Sequence, residues 1–375
     1  MKIVIAPQAF KGTLSALEAA HAIQRGVLAV FPDAITCLVP VADGGDGTLD
    51  VLMQLPGSAL KNATASDAFG NKIKAPWGLL EDGTAIIELA SICGLASLPP
   101  TQRNPLIATT YGLGEVIKTA LNVGCRKFLI GVGGSATQDC GVGIAQALDV
   151  QFQDKDSHEL AHGGEALIAL KKIDCSKQDP RINEACFQII CDVTNPLTGP
   201  EGSNAIYAPQ KGASQEMVHT LEKAFLNFTH VVKHDLGVDL ADIARAGAGG
   251  GAAAGLYAFL HGTLESGIDA ILKFLNFEEK LRGADLVITG EGCLDSQTVK
   301  FNKAPIGVAK RAGQLDIPVI AIVGSLGAGY EAAFQQGIDT IYAIQTLNHM
   351  TTTLPDAVSK ATQKALSLYK DLLSE

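Results

Sequence analysis

No Cys-x-x-Cys pair occurs among the eight cysteines of this chain, and Cys186-x4-Cys191 has no second pair near it. Neither a zinc site nor a disulfide framework is therefore indicated, and scattered thiols of this kind fit the reducing cytoplasm. Also absent is an excess of positive charge. The formal net charge is −10 at pH 7, which argues against a general affinity for nucleic acid or an anionic membrane. A negatively charged ligand must then be met by local lysine, arginine and backbone amides. The apolar start, residues 1–7, is too short for a signal peptide and reads as a first β-strand. Residues 246–264 are uncharged and long enough to span a bilayer, but six glycines and His261 make them a glycine-rich segment of a soluble protein. There is no internal repeat and no low-complexity tail.

What is present is ample apolar material. With 375 residues, 47% hydrophobic and 18% charged, the chain can bury a large core and is long enough for two domains, since single cores stop growing near ~250–300 residues. Its most informative stretch is KFLIGVGGSATQDCGVG, residues 127–143. The apolar run 128–132 has the character of a strand buried on both faces of a parallel sheet, and Gly133-Gly134-Ser135-Ala136-Thr137 lets backbone amides approach a ligand closely. A helix beginning near Asp139 or Gly141 would aim its free N–H groups at an anion, most often a phosphate. Gly131-x-Gly133-x-x-Ala136 also matches the dinucleotide fingerprint, with Asp154 following roughly 20 residues on as a ribose contact. No Gly-Lys-Ser/Thr closes the loop, which disfavours a P-loop nucleotidase.

Elsewhere the pattern alternates strand and helix. Residues 2–6 form a strand, and Ser15 with Glu18 is a capping-box start for a helix to about Val30. Between them Lys11 lies in a loop where it could neutralise a phosphate or carboxylate. The strand at 35–41 runs into Ala42-Asp43-Gly44-Gly45-Asp46-Gly47, where carboxylates could hold a divalent ion, accept a proton, or cap a helix; capping suits Asp46 better than Asp43. Residues 72–80 and 84–90, joined at Glu81-Asp82-Gly83, read as a hairpin and so as an antiparallel part. A buried strand at 187–193 ends in a loop held by Pro196 and Pro200, and the last third repeats strand and helix as a doubly wound parallel sheet does. Loops 42–47, 291–295 and 324–329 each follow an apolar strand, so they should meet at the carboxyl edge of that sheet, where open α/β folds bind ligands.

The ordered set Phe10-Lys11-Gly12, Ala42-Asp43-Gly44-Gly45, Arg103-Asn104-Pro105, Thr109-Thr110-Tyr111-Gly112, Gly133-Gly134-Ser135-Ala136-Thr137, Asp192 with Asn195-Pro196-Leu197, Pro209-Gln210-Lys211-Gly212-Ala213 and the string 285–292, DLVITGEG, resembles the type I bacterial glycerate kinases over nearly the whole chain. The resemblance implies an ATP-dependent kinase acting on glycerate, with 2-phosphoglycerate favoured over 3-phosphoglycerate. It also implies a flavodoxin-like doubly wound domain, here 1–60 with 285–375, and an inserted α/β domain with some antiparallel strands, 61–284. It replaces the dinucleotide reading of the loop by a phosphate-binding one. A monomer or homodimer is expected.

Under that resemblance Gly133, Gly134, Ser135 and Thr137 cradle phosphate. Lys11, Lys211 and Lys303 neutralise transferred phosphoryl or substrate carboxylate. Asp43, Asp192 and Asp295 supply general base and Mg²⁺ ligands, with Asp192 favoured as base and Asp43 and Asp295 for the metal. The chain also departs from the family pattern. Gln8-Ala9 stand for Asp-Ser, Gln138-Asp139-Cys140-Gly141 for Asn-Asp-Gly-Gly, Cys293-Leu294 for Arg-Ile, and Asn302 for the Gly before Lys-Ala-Pro. No carboxylate can act from position 8, and Cys293 removes a bidentate anion partner. Readings from other classes are an NAD-linked hydroxy-acid oxidoreductase and a non-catalytic binder of small acids.

Overall fold

The computed structural model describes residues 1–10, 12–346 and 353–372, so Lys11 lies outside the described residues. The chain divides into two units, Met1–Asp43 with Gly267–Glu375, and Gly44–Ser266.

The first unit holds strands β1 (Lys2–Pro7) and β2 (Ile35–Leu38) from the start of the chain. The second holds β3 (Ala59–Ser66), β4 (Lys72–Leu79), β5 (Thr84–Glu88), β6 (Lys127–Gly131), β7 (Gln151–Gln153), β8 (Lys172–Asp174), β9 (Cys186–Cys191) and β10 (Thr263–Ser266). The chain then returns to the first unit with β11 (Leu286–Leu294), β12 (Val319–Leu326) and β13 (Thr340–Ala343).

In the first unit all pairings are parallel and the order is β13-β12-β11-β1-β2. Counted within the unit this is 2-1-3-4-5, the flavodoxin-like order. The alternation of side chains along β1 shows why both faces are covered. Ile3 and Ile5 join a core with Ile23, Val358 and Ala361, whereas Val4 and Ala6 join the opposite core with Leu272, Phe277 and Val308. The helix Ala16–Val30 opens with the expected capping box, Ser15 and Glu18 bonding each other's backbone amides. It packs closely on Leu354–Leu372 at Gly26, where a Cβ would stand 2.6 Å from the Ser359 carbonyl.

The second unit is a mixed sheet, β10-β9-β6-β5-β4-β3, parallel from β10 to β5 and antiparallel across β4 and β3. The β4–β5 hairpin turns at Gly83, whose φ of +82° suits glycine. Phe128 and Phe187 stack across β6 and β9 with centroids 4.7 Å apart. The glycine-rich segment becomes the buried helix Ala252–Leu260. Its small residues serve packing: a Cβ on Gly255 would fall 2.4 Å from the Cys140 carbonyl, and one on Gly250 1.8 Å from the Thr137 carbonyl. Among the described residues no helix is long and apolar enough to cross a membrane.

The unit boundaries fall at 43/44 and 266/267, not at 60/61 and 284/285. The helix Thr48–Leu52 belongs with the mixed sheet because Leu49 packs over Gly78 and its amide bonds to Glu88 Oε2 at 2.9 Å. The segments Gly267–Phe274 and Phe277–Leu281 belong with the parallel sheet because Ile268, Leu272, Phe277 and Leu281 complete its core.

Candidate functional site

In the first unit, the carboxyl ends of β1 and β11 open on a cavity of about 500 Å³. Asp43, Asp295 and Lys303 line it together with Glu291, Gln8 and Cys293. Each arrives by a simple local device. Glu291 and Cys293 lie on the last residues of β11, which runs past Thr289 because β12 continues to pair with it through Cys293↔Ser325 and Leu294↔Leu326. Asp295 caps the helix Ser296–Lys300, its Oδ1 accepting from Gln297 N at 2.9 Å and Thr298 N at 3.1 Å. Lys303 is the N-cap residue of the helix Ala304–Gly313. Glu291 is buried, and Thr298 Oγ1 donates to its Oε1 at 2.7 Å. Burial pushes its carboxyl up to about 7; Thr298 and Lys303 pull it down, and Asp43 and Asp295 push it further up.

In the second unit the loop after β6 carries Gly133, Gly134, Ser135 and Thr137. Gly133 N is spent on the Gly44 carbonyl at 3.0 Å and Ala136 N on the Cys93 carbonyl at 2.8 Å. Among the described residues no protein acceptor takes the amides of Gly134, Ser135 and Thr137. Gly134 adopts φ +70°, and the Asp46 carboxylate lies against it, 2.9 Å from where a Cβ would be. Lys211 is buried beneath the loop, donating to Ser135 Oγ at 3.0 Å and the Thr137 carbonyl at 2.7 Å. Burial drives its ammonium down to about 7, against a smaller pull upward from Asp139. Asp192 follows β9, largely buried, on the same carboxyl edge as the loop, since β9 is the strand paired with β6.

Two expectations about this loop change. The helix after it, Val142–Ala147, does not present free amides to an anion. Gly141 N and Gly143 N bond to Asp139 at 3.1 and 3.3 Å, and Ile144 N to Thr110 Oγ1 at 3.2 Å. Asp139 also accepts from Thr110 N at 2.7 Å and from both Thr109 and Thr110 hydroxyls. Burial pushes this carboxyl up against those donors, so its role is to brace the loop. The dinucleotide reading fails on topology. β7 pairs with β8 in a separate antiparallel ribbon, not beside β6, and half-buried Asp154 turns back on its own loop to accept from Asp156 N and His158 N.

The structure thus gathers Asp43, Asp295 and Lys303 in one unit, and the loop, Lys211 and Asp192 in the other. Sequence reasoning missed Glu291 and Glu88. Glu88 ends β5 and Glu291 follows the apolar first half of β11, and Glu88 takes the Leu49 amide and the Ser91 hydroxyl; a carboxylate after an apolar strand run was a signal available for both.

Known proteins agree over almost the full length. A family model described as the glycerate kinase family matches residues 3–373. A glycerate kinase of Halalkalibacterium halodurans is 44% identical over 91% of this chain and 90% of its own. A glycerate 2-kinase of Escherichia coli K12 is 44% identical over 92% of this chain and 91% of its own. A solved structure described as a glycerate kinase 2 from Salmonella typhimurium LT2 superposes with a TM-score of 0.83 at 40% identity, covering 99% of this chain and 98% of that one. A match over residues 3–373 takes in the whole of the second unit and nearly all of the first, and the chain belongs to the glycerate kinase family.

Proposed function

We propose that the protein transfers the γ-phosphoryl group of ATP to glycerate, giving 2-phosphoglycerate. The observation that carries this is the family match across residues 3–373, with a relative named glycerate 2-kinase at 44% identity. Phosphoryl transfer asks little covalent chemistry of a protein; it needs alignment, charge neutralisation and a late proton acceptor. The amides of Gly134, Ser135 and Thr137 without protein acceptors, on a loop braced from below by Lys211, suit the ATP phosphates. The amide of Gly133 is committed to Gly44, so Gly133 contributes close backbone approach and no donor. Lys303, and Lys11 from outside the described residues, would neutralise phosphoryl or carboxylate charge. Asp192 would take the proton of the glycerate hydroxyl.

The oxygen donors of Asp43 and Asp295, with Glu291 beside them, fit the hard-ligand chemistry of Mg²⁺. When bound there the ion would neutralise phosphate charge. Purified protein incubated with D-glycerate, Mg²⁺ and either ATP or NAD⁺ tests the reading. Glycerate-dependent ADP is expected, with phosphorus NMR assigning the phosphate to oxygen 2. NADH formation, or no product from either nucleotide, would sink it.

A further inference from the structure

Gln8 stands at the end of β1 with its backbone amide fixed to the Gly290 carbonyl at 2.8 Å. The residue is only 4% exposed and lines the cavity that holds Asp43, Glu291, Cys293, Asp295 and Lys303. Among the described residues its carboxamide makes no hydrogen bond to protein, although it offers two donors and an acceptor. Facing the cavity, this amide presents donors and an acceptor that a ligand can complete. The other groups show which ligand atom does so. A carboxylate is an acceptor only, so Asp43 and Asp295 can serve a hydroxyl or a metal ion and cannot serve another carboxylate, and Glu291 Oε1 is taken up by the Thr298 hydroxyl. Of these six residues only Lys303 and Gln8 offer strong donors to an anion.

We infer that the Gln8 carboxamide is a substrate-binding group, its NH₂ donating to the carboxylate of the hydroxy acid beside Lys303, and so helps to set specificity for an acid over a neutral polyol. This rests on the reading of the chain as a glycerate kinase. A neutral amide suits the place: it adds a donor without drawing the neighbouring carboxylates into an ion pair, as a second cation would.

The test is steady-state kinetics of the full chain and two variants, Gln8→Met, which keeps length and removes the amide, and Gln8→Glu, which is nearly isosteric and sets a like charge against the substrate. Gln8→Met should raise the KM for D-glycerate about ten- to a hundredfold, the range of a hydrogen bond to a charged group, and Gln8→Glu should raise it further. The KM for ATP should stay within about twofold and the urea midpoint should hold. Glycerol, which keeps the hydroxyls and lacks the carboxylate, should inhibit Gln8→Met and the parent equally. A parent enzyme with normal kinetics and variants with unmoved glycerate KM would overturn the inference alone. So would a rise in the KM for ATP, which would give the cavity to nucleotide, or a weakening of glycerol matching that of glycerate, which would give Gln8 to a hydroxyl. Absence of glycerate-dependent ADP from the parent would overturn the functional reading and this inference with it.

Discussion

Asn302 adopts φ +50°, the left-handed region that favours glycine, at the position where the type I pattern carries glycine before Lys-Ala-Pro. Asparagine is tolerated there better than other residues, but it still carries strain of the order of 1 kcal/mol. Its Oδ1 is also buried and, among the described residues, has no hydrogen-bond partner, which adds a desolvation cost. Asn302→Gly removes both terms, which outweigh the unfolded-state entropy that glycine adds against folding, so it should raise the melting temperature by a few degrees. Asn302→Val should lower stability by about 2 kcal/mol, because a β-branched side chain cannot relax at this φ. A thermal melt of the three proteins decides it; Val matching Gly would refute the account. Cys140 repeats the theme at φ +55°, again where the pattern has glycine. There the thiol is buried against the chain at Gly251, so packing compensates for strain.

At the scale of elements, the short helix Thr48–Leu52 shows where the sequence could be read and where it could not. Its start was legible from the Gly-Gly-Asp-Gly run, and the hairpin at Gly83, the capping box at Ser15 and the strands of the parallel sheet were legible for the same reason: each depends on neighbours in sequence. The partner of the helix start was not. By sequence, capping suits Asp46, but the Leu49 amide goes to Glu88 from another strand, 39 residues away in sequence, and such a pairing exists only once the sheet has formed. The bracing of the helix Val142–Ala147 by Asp139 and Thr110 was hidden in the same way. Burial pushes the Glu88 carboxyl up to about 7 from an ordinary value of 4.5. A group that binds its proton more tightly when folded stabilises most below 4.5, and that contribution is lost as pH rises toward 7. Glu88→Gln keeps an acceptor for Leu49 and carries no charge, so it should be more stable than the parent at pH 8, on the order of 2 kcal/mol, and gain nothing at pH 4. Urea midpoints at both pH values check this, and an equal shift at both would contradict the linkage.

For the whole molecule, the assigned carboxylates divide by unit: Asp43 and Asp295 with the parallel sheet, Asp192 with the mixed one. Their surroundings differ in kind. Asp43 and Asp295 share a cavity with Glu291, three carboxyl groups whose crowding Lys303 offsets in part and a divalent ion would relieve further. Asp192 is largely buried at the end of β9, followed by a loop that Pro196 and Pro200 stiffen, which suits a carboxylate held against one substrate hydroxyl. Asparagine separates these roles because it keeps an oxygen ligand while losing both charge and basicity. Asp43→Asn and Asp295→Asn should therefore bind Mg²⁺ more weakly and regain part of their turnover as the ion is raised. Asp295→Asn should also keep the cap on the helix Ser296–Lys300, since the amide oxygen still accepts from Gln297 and Thr298. Asp192→Asn should lose about a hundredfold or more in kcat, the usual scale for a general base, with KM for glycerate little changed and no recovery at any Mg²⁺ concentration. Rescue of Asp192→Asn by metal, with none for the other two, would exchange the assignments and place the ion with the mixed sheet.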